Sequence, residues 1–536
     1  MLCAAPAVAG WLIYTYGVDV PFADQIEVAE FLIRNHGRAF PAAGDLLAFH
    51  NESRMVFPRI VFFYLARMSG WNVKWEMAVS LLMACGTIAL IGYLARFHFD
   101  RLAACTATAA AAILVFSPVQ WWDWTVGFQM VMFFSPLLMA LALVALSRGW
   151  FWPAVAAAAV ATFSFVNGLF LWGALLPAVV LIDGDRKRRW LIPGWIVFGT
   201  ISIALFFYGY EKPPGHPAVV MPWEAPLRFT AYVLAFLGHP LAWNQEVPES
   251  IAVGAVLVTT FVVGVAVAWR TRQRSAVIWA AFALYAAMSA GAAAAGRLRM
   301  SVAQSLEPRY AAISIYLAVG TILMLFAVAR PRVVGLAVAL VVAAHLLAVR
   351  SEWPVMQLFH RERLAGRAAV DLALVIPDHT ALGELVWRDV VRMRKVIRDM
   401  AAIGYLEPLR SARIEAIDAG APPWFGDFVG VKTLPAGLGV YGWASLPGAR
   451  PADAVLLTWI TPRGEEVMSV ARYAWLPRPA LAQIEPSLLA SGWQHEFPLR
   501  LPDGTRLAAW AYDTKERRAY RIAGRFIVSG QTAARY

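Results

Sequence analysis

Charged residues and cysteines are both scarce in this chain. Only 15% of its 536 residues are Asp, Glu, Lys or Arg, and the three cysteines, Cys3, Cys85 and Cys105, all lie in apolar segments. Three cysteines at these positions are not expected to form a disulfide framework or the closely spaced set of a cysteine-based zinc site. Most arginines fall in short clusters between apolar runs and not on one basic face interleaved with aromatic residues, so a nucleic-acid partner is not expected.

Apolar residues are abundant instead. They make up 60% of the chain, which also contains 23 Trp, and the mean hydropathy is +0.57. This composition is typical of a polytopic α-helical membrane protein surrounded by membrane lipids. The pattern predicts about eleven transmembrane helices, some of them short for a bilayer, at 1–18, 75–95, 103–119, 125–147, 152–166, 168–182, 190–208, 250–269, 275–295, 311–329 and 333–349.

The basic connectors between these segments predict the orientation of the chain. Clusters at 96–101, 183–189, 270–274 and 330–332 should lie on the cytoplasmic side of a bacterial inner membrane. The opposite face then receives 19–74, 120–124, 209–249, 296–310 and everything after 350. This requires that 55–70 does not cross the membrane, and its two arginines favour an interfacial helix, as does the similar segment 226–241. At Asn167-Gly168 we favour a turn at the outer face over one kinked helix.

The composition becomes charged and ordinary after residue 350. Residues 358–416 have arginine-rich helical periodicity, and short apolar runs alternating with Pro and Gly turns from about Phe428 predict antiparallel strands. We therefore predict two domains, a transmembrane domain over 1–350 and a soluble periplasmic domain over 351–536 with an α+β, sandwich-like fold. The first periplasmic loop, 19–74, carries the juxtamembrane helices.

The first outer loop contains several residues that could carry chemistry. Asp24 follows Pro21 and opens a predicted helix, and Asp19 is an alternative carboxylate. Further along, His50-Asn51-Glu52 could bind a metal, relay protons or position Arg54. Two potential ligands at this spacing are a weak metal signal, so hydrogen-bonded support of the loop is the favoured role.

Two other outer connectors contain polar residues. The segment 120–129 places Asp123 and Gln129 among tryptophans typical of an interfacial belt, and this belt does not account for the carboxylate. The segment 297–310 is rich in arginine on a face where the positive-inside bias disfavours it. Guanidinium groups there suit an anionic ligand such as a lipid phosphate, although pairing with phospholipid headgroups or with Glu307 is the alternative.

Taken in order, these motifs resemble the GT-C superfamily of polyprenyl-phosphate-sugar-dependent glycosyltransferases. Asp24 matches the first acidic residue, 55–70 the juxtamembrane helix, Asp123 the second acidic residue, and Glu307-Pro-Arg309-Tyr310 a late Arg-Tyr element. A closer likeness to a bacterial branch of this plan comes from five short motifs over residues 1–350, which are His50-Asn-Glu-Ser-Arg54, Pro58-Arg59, Gly127-Phe-Gln129, Asn167-Gly168 and Arg309-Tyr310. A single acid follows Ala23 where many members have paired Asp-Glu, which leaves Asp19 or Asp24 as the matching residue.

The resemblance implies transfer of a sugar from a polyprenyl-phosphate donor to a glycan, lipid or protein acceptor outside the membrane, with inversion at the anomeric carbon. Asp24 would be the general base, and Asp123 would orient the acceptor or, with Asp24, bind a divalent cation such as Mg or Mn. The residues expected to bind the lipid phosphate are Arg59, Arg297, Arg299, Arg309 and Tyr310, and those expected to support the acceptor and the loop are His50, Asn51, Glu52, Arg54 and Gln129. The alternative functions are a transporter or flippase for a lipid-linked sugar and a non-catalytic envelope assembly protein.

Overall fold

A computed structural model describes residues 4–183, 190–213, 215, 217–423, 425–434, 437–462, 464–471, 473–497, 501–529 and 532–535. The chain forms two compact units. The transmembrane unit contains Met1–Gly17, Arg38–Leu65 and Lys74–Met356, and the C-terminal unit contains Val18–Gly37, Ala66–Val73 and Gln357–Tyr536. The basic cluster predicted at 183–189 lies outside the described residues except for its first position.

Seven helices in the described residues are long and apolar enough to cross a membrane. They correspond to seven of the eleven predicted spans and occupy Lys74–His98, Arg101–Thr125, Gly127–Ser147, Val247–Thr271, Arg274–Arg297, Pro308–Val328 and Pro331–Leu372. The other four predicted spans form shorter apolar helices, at Ala4–Tyr16, Phe151–Thr162, Val166–Leu181 and Leu191–Phe207. The prediction of a polytopic helical membrane protein is confirmed.

Three of these spans include shorter elements at one end, and their main helices are Arg101–Val115, Met130–Ser147 and Ala311–Val328. The shorter elements lie within or between the spans. Helices occupy Ala43–Leu47, Val56–Ser69, Trp121–Thr125, Leu171–Ala174, Leu176–Asp183 and Pro226–Gly238, and 3-10 turns occupy Pro118–Gln120, Gly127–Gln129, Val166–Phe170, His239–Leu241, Ala303–Leu306 and Pro308–Tyr310. The predicted helix at 55–70 is therefore present as Val56–Ser69. Near Asn167-Gly168 the Phe151–Thr162 helix gives way to the 3-10 turn Val166–Phe170, and a Cβ atom on Gly168 would lie 1.9 Å from the carbonyl oxygen of Ala161. The turn at the outer face stays a prediction.

Close backbone contact fixes one helix pair of the transmembrane unit. A Cβ atom on Gly238 would lie 2.0 Å from the carbonyl oxygen of Ser250, and one on Gly254 would lie 2.0 Å from that of Leu234. Small residues allow helices to approach this closely in membrane proteins. The contact fixes the Pro226–Gly238 helix, which carries Tyr232 of the candidate site, against Val247–Thr271.

The C-terminal unit combines helices with two β-sheets. Its helices are Gln25–Asn35, Thr380–Leu385, Val390–Ala402 and Pro479–Ala482, together with the last part of Pro331–Leu372, and 3-10 turns lie at Ile414–Ala416 and Pro486–Ala490. Its strands are β3 (Gly426–Leu434), β4 (Gly437–Leu446), β5 (Arg450–Pro451), β6 (Ala454–Thr461), β7 (Gly464–Val470), β8 (Tyr473–Leu476), β9 (Gly492–Phe497), β10 (Arg506–Asp513), β11 (Arg518–Arg521), β12 (Phe526–Ser529) and β13 (Thr532–Arg535); β1 (Phe49–His50) and β2 (Ser53–Arg54) form a separate hairpin in the transmembrane unit.

The two sheets share one apolar core, as the alternating strands predict. One sheet has the order β13-β12-β10-β6-β7 with β11 beside β10, and the other has the order β3-β4-β9-β8 with β5 beside β4. All these pairs are antiparallel. Phe428 and Trp493 of one sheet and Leu457 and Phe526 of the other belong to the same buried cluster. The predicted sandwich-like fold is confirmed.

Candidate functional site

Asp123 is the most deeply buried carboxylate among the predicted site residues. It lies on the short Trp121–Thr125 helix and is 0% exposed, although its sequence position predicts an outer connector. Its carboxylate faces the N–H of Ala312, in the first turn of the Ala311–Val328 helix, and lies within electrostatic reach of Arg309. Neither oxygen has hydrogen-bond geometry with a described residue. The positive end of a helix and a guanidinium group each reduce the cost of burying this carboxylate but do not cancel it.

The predicted Arg309-Tyr310 element forms a 3-10 turn immediately before the Ala311–Val328 helix. The ring of Tyr310 packs against Phe236, with 4.9 Å between centroids, and the guanidinium carbon of Arg309 lies 5.5 Å from the Tyr310 ring centroid. Gln304 donates from Nε2 to the Tyr310 hydroxyl at 3.2 Å. These contacts fix the element at the start of a span.

Tyr232 extends this cluster, and the sequence did not predict it. Its hydroxyl donates to Gln304 Oε1 at 2.6 Å. Burial and the neighbouring Tyr310 raise the pKa of Tyr232, while Arg297 and Arg309 act in the opposite direction. Tyr232 therefore stays a neutral hydroxyl within the field of two guanidinium groups. The interfacial periodicity of 226–241 is a signal that this segment lies near the outer connectors, but it does not distinguish Tyr232 from its neighbours.

Arg297 and Arg299 differ in their surroundings. Arg297 donates to Glu52 Oε1 at 3.2 Å, and its side chain is 25% exposed. The structure therefore brings Glu52 of the first loop to the end of the Arg274–Arg297 helix. Arg299 is 52% exposed, lies 3.8 Å from Glu224 and donates to the carbonyl oxygen of Ala218. Of the two, Arg297 is the better placed beside Tyr232.

The His50–Arg54 motif forms a tight hairpin. His50 pairs with Ser53 and Phe49 with Arg54, and Asn51 takes a left-handed conformation, φ +50°, at the turn. Asn tolerates this conformation better than most residues. The buried His50 ring packs on Phe128, with 5.0 Å between centroids.

Arg54 holds this hairpin to the end of another helix. Its Nε donates to the carbonyl oxygen of Phe206 at 2.7 Å, and its two Nη atoms donate to the carbonyl oxygens of Leu47 and Tyr208. Its guanidinium carbon lies 4.1 Å from the Phe49 ring centroid. Carbonyl groups at a helix C-terminus lack partners within the helix, and Arg54 supplies donors to them. These contacts suit the predicted supporting role.

Arg59 has a similar set of partners. Its Nη1 donates to the carbonyl oxygens of Asp45, Leu46 and Ala48, at the end of the Ala43–Leu47 helix, and the side chain is 8% exposed. The structure thus places main-chain carbonyls, and not an open cleft, around this end of the guanidinium that was predicted to bind phosphate. Gln129 is also buried, and its Oε1 has no hydrogen-bond partner among the described residues.

The long Pro331–Leu372 helix positions the segment that carries Asp123. Its buried Glu352 accepts a hydrogen bond from Trp121 Nε1, two residues before Asp123. One heptad earlier, His345 Nδ1 lies 3.4 Å from Ser117 Oγ, and the Ser117 carbonyl accepts from Trp124 Nε1. Residues seven apart lie on one face of a helix. The sequence treats residue 352 as part of the soluble domain and therefore gives no signal of this contact.

Asp24 and Asp19 belong to the C-terminal unit. Asp19 Oδ1 accepts the N–H of Val73 at 3.0 Å, and Oδ2 lies 3.5 Å from Nη1 of Arg367. Asp24 directly precedes the Gln25–Asn35 helix, as predicted, and follows Ala23 in a left-handed conformation with φ +49°. Asp19 is therefore engaged in holding chain segments together, and the choice between Asp19 and Asp24 as the carboxylate for chemistry stays a prediction.

A divalent cation remains a prediction. Within the described ranges, no group of three or more His, Cys, Asp or Glu side chains could hold a metal ion. The two carboxylates named for this role belong to different units, Asp24 to the C-terminal unit and Asp123 to the transmembrane unit.

Three solved structures are similar to this chain. ArnT from Cupriavidus metallidurans bound to undecaprenyl phosphate has 14% identity and a TM-score of 0.31, over 76% of this chain and 89% of that chain. Its apo state has 15% identity and a TM-score of 0.32, over 76% and 85%. The arabinosyltransferase EmbB from Mycobacterium smegmatis has 13% identity and a TM-score of 0.35, over 92% of this chain and 61% of that chain.

No protein-family model and no curated protein matches the chain. At these identities and TM-scores the similar structures do not assign an activity, so the functional argument rests on the side chains described above.

Proposed function

We propose that this protein is a membrane glycosyltransferase that moves a sugar from a polyprenyl-phosphate-linked donor to an acceptor at the outer face of the bacterial inner membrane. The observation that carries the proposal is the cluster at the start of the Ala311–Val328 helix. There the buried Asp123 lies within electrostatic reach of Arg309, and the charges of Arg309 and Arg297 both act on the Tyr232 hydroxyl.

The chemistry of this cluster suits a departing phosphate. When the bond between the anomeric carbon and the phosphate oxygen breaks, negative charge grows on the phosphate. Fixed guanidinium groups and hydroxyl donors stabilise such charge most effectively in a site that excludes water. The guanidinium groups of Arg309 and Arg297 each present several N–H donors that suit phosphate oxygens.

The two carboxylates take different roles in this proposal. Asp24 is assigned as the general base that takes the proton of the acceptor hydroxyl, and direct attack by that hydroxyl inverts the anomeric centre. Asp123 is assigned to hold Arg309 and the first turn of the Ala311–Val328 helix in place. The acceptor is a glycan, a lipid or a protein.

Binding of farnesyl phosphate to the purified protein in nanodiscs tests the phosphate role. Arg309→Ala should weaken binding about ten- to hundredfold, because a hydrogen bond to a charged group contributes roughly 1.5–3 kcal/mol. Arg148→Met is the matched control, since this exposed arginine stacks on Tyr93 and Phe97 at a different place. Unchanged affinity in Arg309→Ala would refute the phosphate role.

Release of polyprenyl phosphate from defined polyprenyl-phosphate sugars, in the presence of an envelope extract, tests the transfer step. Asp24→Asn should lower turnover by about 10²–10⁴-fold, the range for loss of a general base, with donor binding unchanged. Normal turnover in this variant would remove Asp24 from the mechanism. Transport of the donor across the membrane of proteoliposomes, without release of the sugar, would favour the flippase alternative.

A further inference from the structure

Arg363 is a buried guanidinium in the C-terminal unit that no role above uses. It lies on the Pro331–Leu372 helix and is 4% exposed. Its guanidinium carbon lies 3.7 Å from the ring centroid of Phe22 and 4.8 Å from that of Phe359. Both distances are typical of cation–π contact, in which the aromatic rings engage the charge.

The donors of Arg363 are not used by these rings. Its Nε and Nη1 atoms are buried and have no hydrogen-bond partner among the described residues. A buried charged group with unmade hydrogen bonds destabilises a protein, because water no longer solvates it. Arg363 could therefore make further hydrogen bonds to a negatively charged acceptor.

Neighbouring arginines of the same unit are different. Arg367, one turn further along the helix, forms ion pairs with Asp19 and Asp371 at 3.5 and 3.2 Å. Arg392 binds both carboxylate oxygens of Glu30 at 2.8 Å. The carboxylate of Glu362, the preceding residue, acts on Arg363 electrostatically, but Nε and Nη1 of Arg363 still have no hydrogen-bond partner among the described residues.

The chain segment beside Arg363 leads directly to Asp24. Phe22 lies two residues before Asp24, and its N–H donates to Gln25 Oε1 at 3.2 Å. The N–H of Ala23, between them, points to the carbonyl oxygen of Val386 at 3.4 Å. Arg363 therefore stacks on a segment that is fixed within the C-terminal unit and that opens the helix behind Asp24.

We propose that Arg363 binds an anionic group, a phosphate or a carboxylate, of a substrate that reaches Asp24. The unpartnered Nε and Nη1 atoms lie on different edges of the guanidinium group, so each offers a charged donor to one oxygen of such a group. The assignment to a substrate rests on the proposed function, whereas the anion site itself does not. The anion comes either from the acceptor or from the lipid phosphate of the donor.

Binding of inorganic phosphate to the full-length protein in detergent tests the site. The measurement uses Arg309→Ala as the parent, so that the proposed donor site in the transmembrane unit does not contribute. Adding Arg363→Met should weaken phosphate binding at least about tenfold. Adding Arg363→Lys should weaken it less, because Lys keeps the charge and loses only the fixed positions of the guanidinium donors. Adding Arg398→Met, at an exposed position of the same unit, should leave it unchanged.

Thermal unfolding in phosphate-free buffer gives a second readout. Arg363→Met should unfold at the same temperature as its parent or higher, because it removes a buried charge whose hydrogen bonds are unmade. Phosphate should raise the unfolding temperature of the parent and not that of Arg363→Met. Unchanged phosphate affinity in Arg363→Met, or a lower unfolding temperature in phosphate-free buffer together with an unchanged phosphate response, would overturn the proposal.

Competition identifies the source of the anion. If farnesyl phosphate displaces inorganic phosphate from the parent, Arg363 binds the lipid phosphate; if acetate displaces it and farnesyl phosphate does not, Arg363 binds an acceptor group. Failure here is separate from failure of the proposed function, which is measured with Arg363 intact and Arg309 or Asp24 changed.

Discussion

Replacing Arg54 by Met should destabilise the transmembrane unit without removing a ligand contact. The guanidinium donates to three main-chain carbonyls, those of Leu47, Phe206 and Tyr208, and is 9% exposed. Met retains most of the volume of the stem and its packing on Phe49, so the change removes mainly the charge and the donors.

The magnitude follows from those contacts. Hydrogen bonds to a charged group contribute roughly 1.5–3 kcal/mol each, so three give roughly 5–9 kcal/mol before desolvation. Burial also lowers the pKa of Arg54, which means that the folded protein bears a cost for the charge. Since breaking one side of a buried charged arrangement typically costs about 3–5 kcal/mol, we expect a net loss in that range. Arg54→Lys should recover less than half of it, because one ammonium cannot reach three diverging carbonyls.

The assay is unfolding in mixed micelles with increasing SDS, followed by tryptophan fluorescence and far-UV circular dichroism. Arg148→Met serves as the control, because this exposed arginine should contribute no more than about 1 kcal/mol. A free energy of unfolding for Arg54→Met within about 1 kcal/mol of wild type would refute the supporting role. So would a stable variant that has lost farnesyl phosphate affinity, since that result makes Arg54 a ligand contact.

Two further predictions concern one carboxylate in each unit, the buried Glu352 and the partly buried Asp378. Glu352→Leu removes the acceptor for Trp121 Nε1 and should lower sugar transfer at least tenfold, whereas Glu352→Gln, whose amide oxygen still accepts, should retain most of it; equal activity in both variants would contradict a positioning role. Although burial raises the pKa of Asp378, hydrogen bonds from His495, Ser469 and Thr380 lower it overall, below the ordinary value. The stabilisation that ionised Asp378 gives the folded protein is complete above the ordinary aspartate pKa of about 4 and is lost as the pH falls further. Below about pH 4 the unfolding temperature of wild type should therefore fall more steeply than that of Asp378→Asn.

The fold could be predicted from the sequence because its signals are local. Apolar length identifies the spans, and alternation between Pro and Gly turns identifies strands such as β4, β6 and β10. Local signals do not predict the contacts of the Pro331–Leu372 helix. Its charged second half resembles a soluble segment, and only packing shows that Glu352 is buried against Trp121.

The candidate site was harder to predict, because burial depends on long-range packing. Asp123 occupies a connector by sequence, yet the start of the Ala311–Val328 helix covers it. Tyr232 and Gln304 lie 72 residues apart and join through one hydrogen bond. A single sequence contains no local pattern that reports such a contact.

Arginine illustrates why residue type alone does not assign a ligand. Arg59 was predicted to bind phosphate, yet it directs donors to main-chain carbonyls at a helix end, as does Arg54, which was predicted to have a supporting role. Such a carbonyl has only a partial charge, and it holds the guanidinium in a structural role. Arg297 instead pairs with the carboxylate of Glu52, and Arg297 and Arg309 both act on the Tyr232 hydroxyl. The partners of each guanidinium, and not its place in the membrane topology alone, are the reason that the proposed function assigns phosphate binding to Arg297 and Arg309 and a structural role to Arg54.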